Sequence, residues 1–254
     1  MAASRVEPAQ ALLDWYRAMG VDEAIGEEPV NHFAAPASFD LKPGRTATTA
    51  GAKPRAKPLA DDCSPEEAET LADLEQLAGQ FEGCALKRTA KNLCFARGSD
   101  KARVMLIGEA PGRDEDLQGK PFVGRAGKLL DLMLASIGLT EDDVYITNTV
   151  YWRPPGNRTP TPLEIESCAP FLKRQIELLN PGIIVLLGNA AAKSMLGTSQ
   201  GIMRLRGKWL VYESGERDIP VIATLHPAYL LRNPAEKRLS WRDMLMIKQA
   251  LYKK

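Results

Sequence analysis

Four short apolar runs, each separated from the next by a helix-period pattern, limit what this chain can fold into. They lie at 104–107 (Val-Met-Leu-Ile), 144–147 (Val-Tyr-Ile-Thr), 183–187 (Ile-Ile-Val-Leu-Leu) and 221–225 (Val-Ile-Ala-Thr-Leu). A run without polar alternation suits a strand covered on both faces, as a parallel sheet requires. Between the first two, Leu129, Leu130, Met133, Leu134 and Ile137 recur at helical spacing until Gly138. Pro162 opens a helix that Asn180-Pro181 stops after 179, a short helix follows Gly188, and a last one runs from 235 to 252. The alternation predicts an α/β protein, a three-layer α/β/α sandwich around a central, mainly parallel four-stranded sheet.

Upstream the pattern changes. Residues 8–20 read as a short amphipathic helix closed by Gly20, within an N-terminal helical segment at 1–28. The stretch 29–62, rich in Ala, Pro, Thr, Gly and Lys, has too little apolar surface to pack and reads as a flexible linker. Ser64-Pro65-Glu66-Glu67 then looks like a helix start, running to about Phe81 and opening a main domain at 63–254.

Charge is divided along the chain. Residues 1–60 hold 7 Lys/Arg against 7 Asp/Glu, residues 61–80 hold 7 acids and no bases, and residues 81–254 hold 26 bases against 18 acids, a net of +8. A basic main domain suits a polyanion but equally an ordinary enzyme surface. No apolar run approaches the ~18 residues of a membrane span, and the N-terminus lacks a signal-peptide core, so a cytoplasmic, membrane-free monomer is expected. Four cysteines (Cys63, Cys84, Cys94, Cys168) are too few for a disulfide scaffold.

In such sheets ligands sit at the carboxyl ends of the strands. Those ends run into Gly108-Glu109-Ala110-Pro111-Gly112, Asn148, Gly188-Asn189 and His226-Pro227, which would bring a carboxylate, an amide and an imidazole to one crevice. Neither G-x-G-x-x-G after a strand nor G-x-x-x-x-G-K-[ST] occurs, which removes the main support for a nucleotide cofactor.

Together these motifs resemble the uracil-DNA glycosylase superfamily, in the branch that includes bacterial and archaeal iron–sulfur enzymes. The resemblance rests on Gly-Glu-Ala-Pro-Gly-Arg-Asp-Glu-Asp at 108–116 and Gly-Lys-Pro-Phe-Val-Gly-Arg-Ala-Gly-Lys-Leu-Leu at 119–130. It continues with Thr-Asn at 147–148, Arg-Pro-Pro-Gly-Asn-Arg-Thr-Pro at 153–160 and His-Pro-Ala-Tyr-Leu-Leu-Arg-Asn-Pro at 226–234. It covers roughly 80–254 and implies hydrolysis of the N-glycosidic bond of uracil in DNA, initiating base-excision repair, with the base first flipped out of the duplex.

The resemblance also implies roles. Phe122 would stack on the base, Asn148 would read its N3–H and O4, and Gly108 and Ala110 would complete the uracil pocket. His226 would face O2, where charge accumulates as the bond breaks. Water activation falls to Glu109 or Glu115, with Glu109 favoured. Arg153, Asn157, Arg158, Gly188 and Asn189 would meet the DNA backbone, and Leu230, Leu231 and Arg232 would wedge into the duplex.

One departure stands out. The iron–sulfur relatives hold a [4Fe–4S] cluster with four cysteines, and the matching positions here are Phe81, Cys84, Trp152 and Cys168. The expectation is therefore no cofactor and no metal, with Cys84 and Cys168 vestigial; a substitute set of Cys63, Cys84, Cys94 and Cys168 is the weaker alternative. A second functional reading is a non-hydrolytic uracil-DNA or abasic-site binding protein of the same fold. Relatives that trap the sugar covalently carry a histidine in a Lys-Arg-Arg-Ile-His insert, and Met203-Arg204-Leu205-Arg206-Gly207-Lys208 has none.

Overall fold

The computed structural model describes residues 64–252 apart from Glu216. The expected helix at 8–20, the linker at 29–62 and Cys63 lie outside the described residues. Four parallel strands stand where the apolar runs predict them: β2 (Val104–Gly108), β3 (Val144–Asn148), β4 (Ile183–Leu187) and β6 (Asp218–Thr224). The sheet has six strands, however, not four. A two-residue β1 (Arg97–Gly98) and β5 (Trp209–Glu213) flank it antiparallel, giving the order β1-β3-β2-β4-β6-β5.

Helices connect the strands: α1 (Leu71–Gln80), α2 (Arg113–Gln118), α3 (Arg125–Ser136), α4 (Pro162–Leu179), α5 (Asn189–Leu196), α6 (Ile202–Leu205), α7 (Pro227–Arg232) and α8 (Lys237–Tyr252). The helix expected from Ser64 begins later. Pro65–Glu67 form only a 3₁₀ turn, and Thr70 caps α1, exchanging bonds with Asp73 through side chain and backbone.

Because side chains of a strand alternate, each strand feeds two cores. Val104, Leu106, Ile146 and Val185 pack with Leu130 and Leu134 of α3 and Met244 and Ile247 of α8. Met105, Ile107, Ile184 and Leu186 face the opposite way, onto Leu172 and Ile176 of α4 and Ala192 of α5. Each such side chain contributes about 1.5–3 kcal/mol by leaving water, and this two-sided burial forces the strands to be continuously apolar. A third cluster joins α1 and α4 through Leu74, Phe95, Tyr151, Trp152 and Phe171.

Register fixes the working edge. Gly108 pairs with Asn148, and Leu187 with Thr224, so the residues closing β2, β3, β4 and β6 line up at one carboxyl edge. Among the described residues no helix is long and apolar enough to cross a membrane.

Candidate active site

Asn148 ends β3 and is buried to 1% exposure. Both its amide atoms, Oδ1 and Nδ2, lack any hydrogen-bond partner, and no other buried side-chain polar atom among the described residues is left so. An orphaned buried amide is costly, roughly 1–3 kcal/mol per unsatisfied group, so its persistence points to a partner that arrives from outside.

Gly108 on the neighbouring strand makes the space. A Cβ there would overlap Asn148 Oδ1 and the tip of the Phe122 ring, so only glycine lets the amide and the ring close over the strand end. Phe122 is itself buried, holds a left-handed backbone at φ 54°, and lies with its ring centroid 5.6 Å from that of His226, the planes inclined by 32°. The amide, the aromatic ring and the imidazole therefore meet in one place.

His226 caps α7: its Nδ1 accepts from the Ala228 amide at 3.1 Å. Burial first, and the Arg232 charge second, push its pKa down to about 4, so the ring is neutral at pH 7. With Nδ1 occupied as an acceptor, the remaining proton sits on Nε2, which is left as a donor. Gly188, at φ 93°, lets the chain after β4 pass close to the imidazole, since a Cβ there would come within 2.8 Å of the His226 Cβ.

Glu109 is partly exposed and its carboxylate makes no hydrogen bond or ion pair among the described residues. Its position is set through the backbone. Thr149, a residue the sequence did not single out, donates from its amide to the Gly108 carbonyl at 3.0 Å and from its hydroxyl to the Glu109 carbonyl at 2.7 Å. Its place directly after Asn148 was the only available signal.

Several expected roles do not survive the geometry. Glu115 cannot free a carboxylate for water: Oε2 accepts from the Gly112 amide, and Oε1 from those of Val123 and Gly124 at 3.0 and 2.9 Å. It is a clamp on the turn that carries Phe122. Leu230 is 1% exposed and packs inward, so it is no wedge, whereas Tyr229 (37% exposed), the partly exposed Leu231 and the exposed Arg232 form the outer face of α7. Arg158 is held in a two-bonded ion pair with Glu164 at 2.6 and 2.8 Å, and that pair holds Glu164 at a pKa of about 2. The Asn189 side chain accepts from the Ile202 amide at 3.1 Å and so supports α6, leaving its backbone for any phosphate. Arg153 donates through Nε to Asn157 at 2.7 Å. Ala110 packs against the third core cluster, so only its backbone can face a base.

The four positions matching a cluster do not fit one. Phe81 stacks on Trp152 at 6.5 Å between centroids and tilts against Phe171 at 5.0 Å, so the volume is filled with rings. Cys84 and Cys168 lie with sulfurs 3.9 Å apart, each a free thiol, and supply two ligands where four are needed. Cys94 points elsewhere, its thiol donating to the Glu115 carbonyl at 3.2 Å and pushed up to about 12 by burial. Among the described residues no group of three or more His, Cys, Asp or Glu could hold a metal ion.

A mainly parallel sheet whose carboxyl edge gathers an unsatisfied buried amide, an aromatic ring and a neutral imidazole is suited to a planar ligand that hydrogen-bonds along one edge. The chain belongs to the uracil-DNA glycosylase superfamily, whose family model matches residues 95–246. It is 46% identical over 170 residues to a type-4 uracil-DNA glycosylase of Archaeoglobus fulgidus, spanning 65% of this chain and 85% of that one. It is 43% identical over 186 residues to the type-4 enzyme of Sulfurisphaera tokodaii (71% and 84%), and 44% over 151 residues to that of Thermotoga maritima (59% and 77%).

Proposed function

We propose that this protein is a uracil-DNA glycosylase that works without an iron–sulfur cluster. The observation that carries the reading is Asn148, whose buried amide offers one acceptor and one donor side by side with no internal partner. Uracil supplies the complement: N3–H donates to Oδ1 and O4 accepts from Nδ2. Cytosine presents an acceptor and a donor in the opposite order and leaves both groups unpaired, a mismatch that can discriminate by ~10⁴-fold.

The flipped base lies against the Phe122 ring, with O2 toward His226 Nε2–H. As the bond from C1′ to N1 breaks, the electron pair stays with the base and negative charge grows on O2. A neutral donor there stabilises it by about 3 kcal/mol. The free carboxylate of Glu109 offsets the positive charge on the sugar and holds the water that adds to C1′, taking up the water's proton as the abasic site forms. Arg153 and the outer face of α7, with Leu231 and Arg232, engage the DNA backbone and the opened stack, and the protein acts as a cytoplasmic monomer.

The test is incubation with a labelled uracil-containing oligonucleotide followed by alkali. Strand cleavage only after alkali, without a denaturation-resistant adduct, supports hydrolysis. A stable adduct or binding without cleavage would select the non-hydrolytic binder, and an intact strand would refute the assignment.

A further inference from the structure

Arg97 stands outside every motif that carries the base-recognition reading, yet its side chain is only 8% exposed and each of its three nitrogens is bonded. From β1 it reaches the Phe122 turn. Its Nε donates to the Pro121 carbonyl at 3.0 Å and its Nη2 to the Phe122 carbonyl at 3.2 Å. Two carboxylates neutralise it: Asp131 of α3 at 2.6 Å and Glu141 at 3.3 Å. The same turn is held from its other side by Glu115, on the amides of Val123 and Gly124. Between these holds, Phe122 keeps a left-handed φ of 54°, a conformation a bulky non-glycine residue adopts only when its surroundings impose it. Gly127 completes the seat, since a Cβ there would overlap the Phe122 carbonyl.

We infer that Arg97 is a positioning residue for base stacking: its guanidinium holds the Pro121 and Phe122 carbonyls so that the Phe122 ring stands over Gly108 and beside His226. The inference rests on the reading of Phe122 as the ring that meets uracil. Without the guanidinium, two carbonyls lose their donor and the left-handed turn loses one of its two holds. The ring then samples positions off the stack, and displacement on the scale of an ångström at a reacting site costs up to ~100-fold.

Free uracil reports the stack without the chemistry, so its inhibition constant is the primary readout. In Arg97→Ala this constant and the KM for uracil-containing single strands should both rise about tenfold, with affinity for abasic DNA unchanged. Asp131→Ala removes a partner of the same guanidinium while keeping both carbonyl bonds, and should leave uracil inhibition near wild type at a similar loss of melting temperature. Arg97→Lys, which keeps one donor, should fall between and carries the test if the alanine variant does not fold. Wild-type uracil inhibition in whichever of the two folds, or an equal loss in Asp131→Ala, overturns the inference. A wild-type protein that neither releases uracil nor is inhibited by it overturns the functional reading as well, so the two failures are distinguishable.

Discussion

A buried amide without partners is tolerated only where something outside the chain completes it, and at Asn148 the completion has a definite polarity. Asn148→Asp keeps the shape but exchanges the donor for a second acceptor, and it places a charge where burial penalises one. Uracil removal should fall by at least ~100-fold, measured as single-turnover cleavage, with the fold retained. His226 gives a second test at this scale. Its pKa is lowered from 6.5 to about 4 by burial, so the folded state favours the neutral ring. The resulting stability is complete above pH 6.5 and is lost as pH falls from 6.5 toward 4, because the unfolded chain takes up the proton first. His226→Asn keeps an acceptor near Nδ1 but removes both the titration and the Nε2–H donor. Its melting temperature should therefore decline less than wild type between pH 6.5 and 4.5, while its turnover drops at every pH. For the wild type, no loss of turnover from this group is expected between pH 8 and 6.

At the scale of the element, Glu115 separates a clamp from a catalyst. A carboxylate that already accepts three backbone amides is fixed in place by the turn, with one oxygen fully occupied and the other bonded to the Gly112 amide. Glu115→Gln replaces one acceptor by a donor and should raise the inhibition constant for free uracil and the KM, leaving the pH profile of turnover unmoved. A general base lost at this position would instead flatten the limb of that profile. The sequence held this information in a form easily misread: Glu115 lies three residues after Gly112, the spacing of a capping residue, at a position where a family motif draws attention to chemistry. The parallel strands were legible because burial on two faces leaves few polar positions in them, and the buried ones (Thr147, Asn148 and Thr224) stand at the carboxyl ends. Strands β1 and β5 were not, since one has two residues and the other alternates exposed and half-buried positions at the sheet edge. Helix α4 was legible despite Pro170 within it, because its apolar period runs unbroken from Pro162 to Leu179. Asn148 and His226 could be placed because strand ends are visible in sequence. The inward turn of Leu230 could not, because on a six-residue helix a rotation of one position decides between core and DNA.

For the molecule as a whole, the question is what ties α1 and the segment after it to α4 at the positions that the resemblance matches to cluster cysteines. The ties are aromatic: Phe81, Tyr151, Trp152 and Phe171 pack ring against ring, with the Cys84 and Cys168 thiols beside them. The thiols are unequal, as hydrogen bonding from Cys168 draws the Cys84 pKa down, yet both are buried, and among the described residues neither has a third ligand nearby. A cluster that holds a fold makes stability depend on the metal, so a chelator lowers the melting temperature. A ring cluster makes it depend on volume, so truncation lowers it. The expected result is that iron analysis and the visible spectrum find no cluster in protein purified without oxygen, and that chelator leaves the melting curve in place. Trp152→Ala should cost about 3–5 kcal/mol in urea denaturation by emptying the centre of the cluster. A chelator-sensitive melting curve would mean that the cysteines still serve a metal, and a tryptophan truncation that costs nothing would mean that the rings are bystanders.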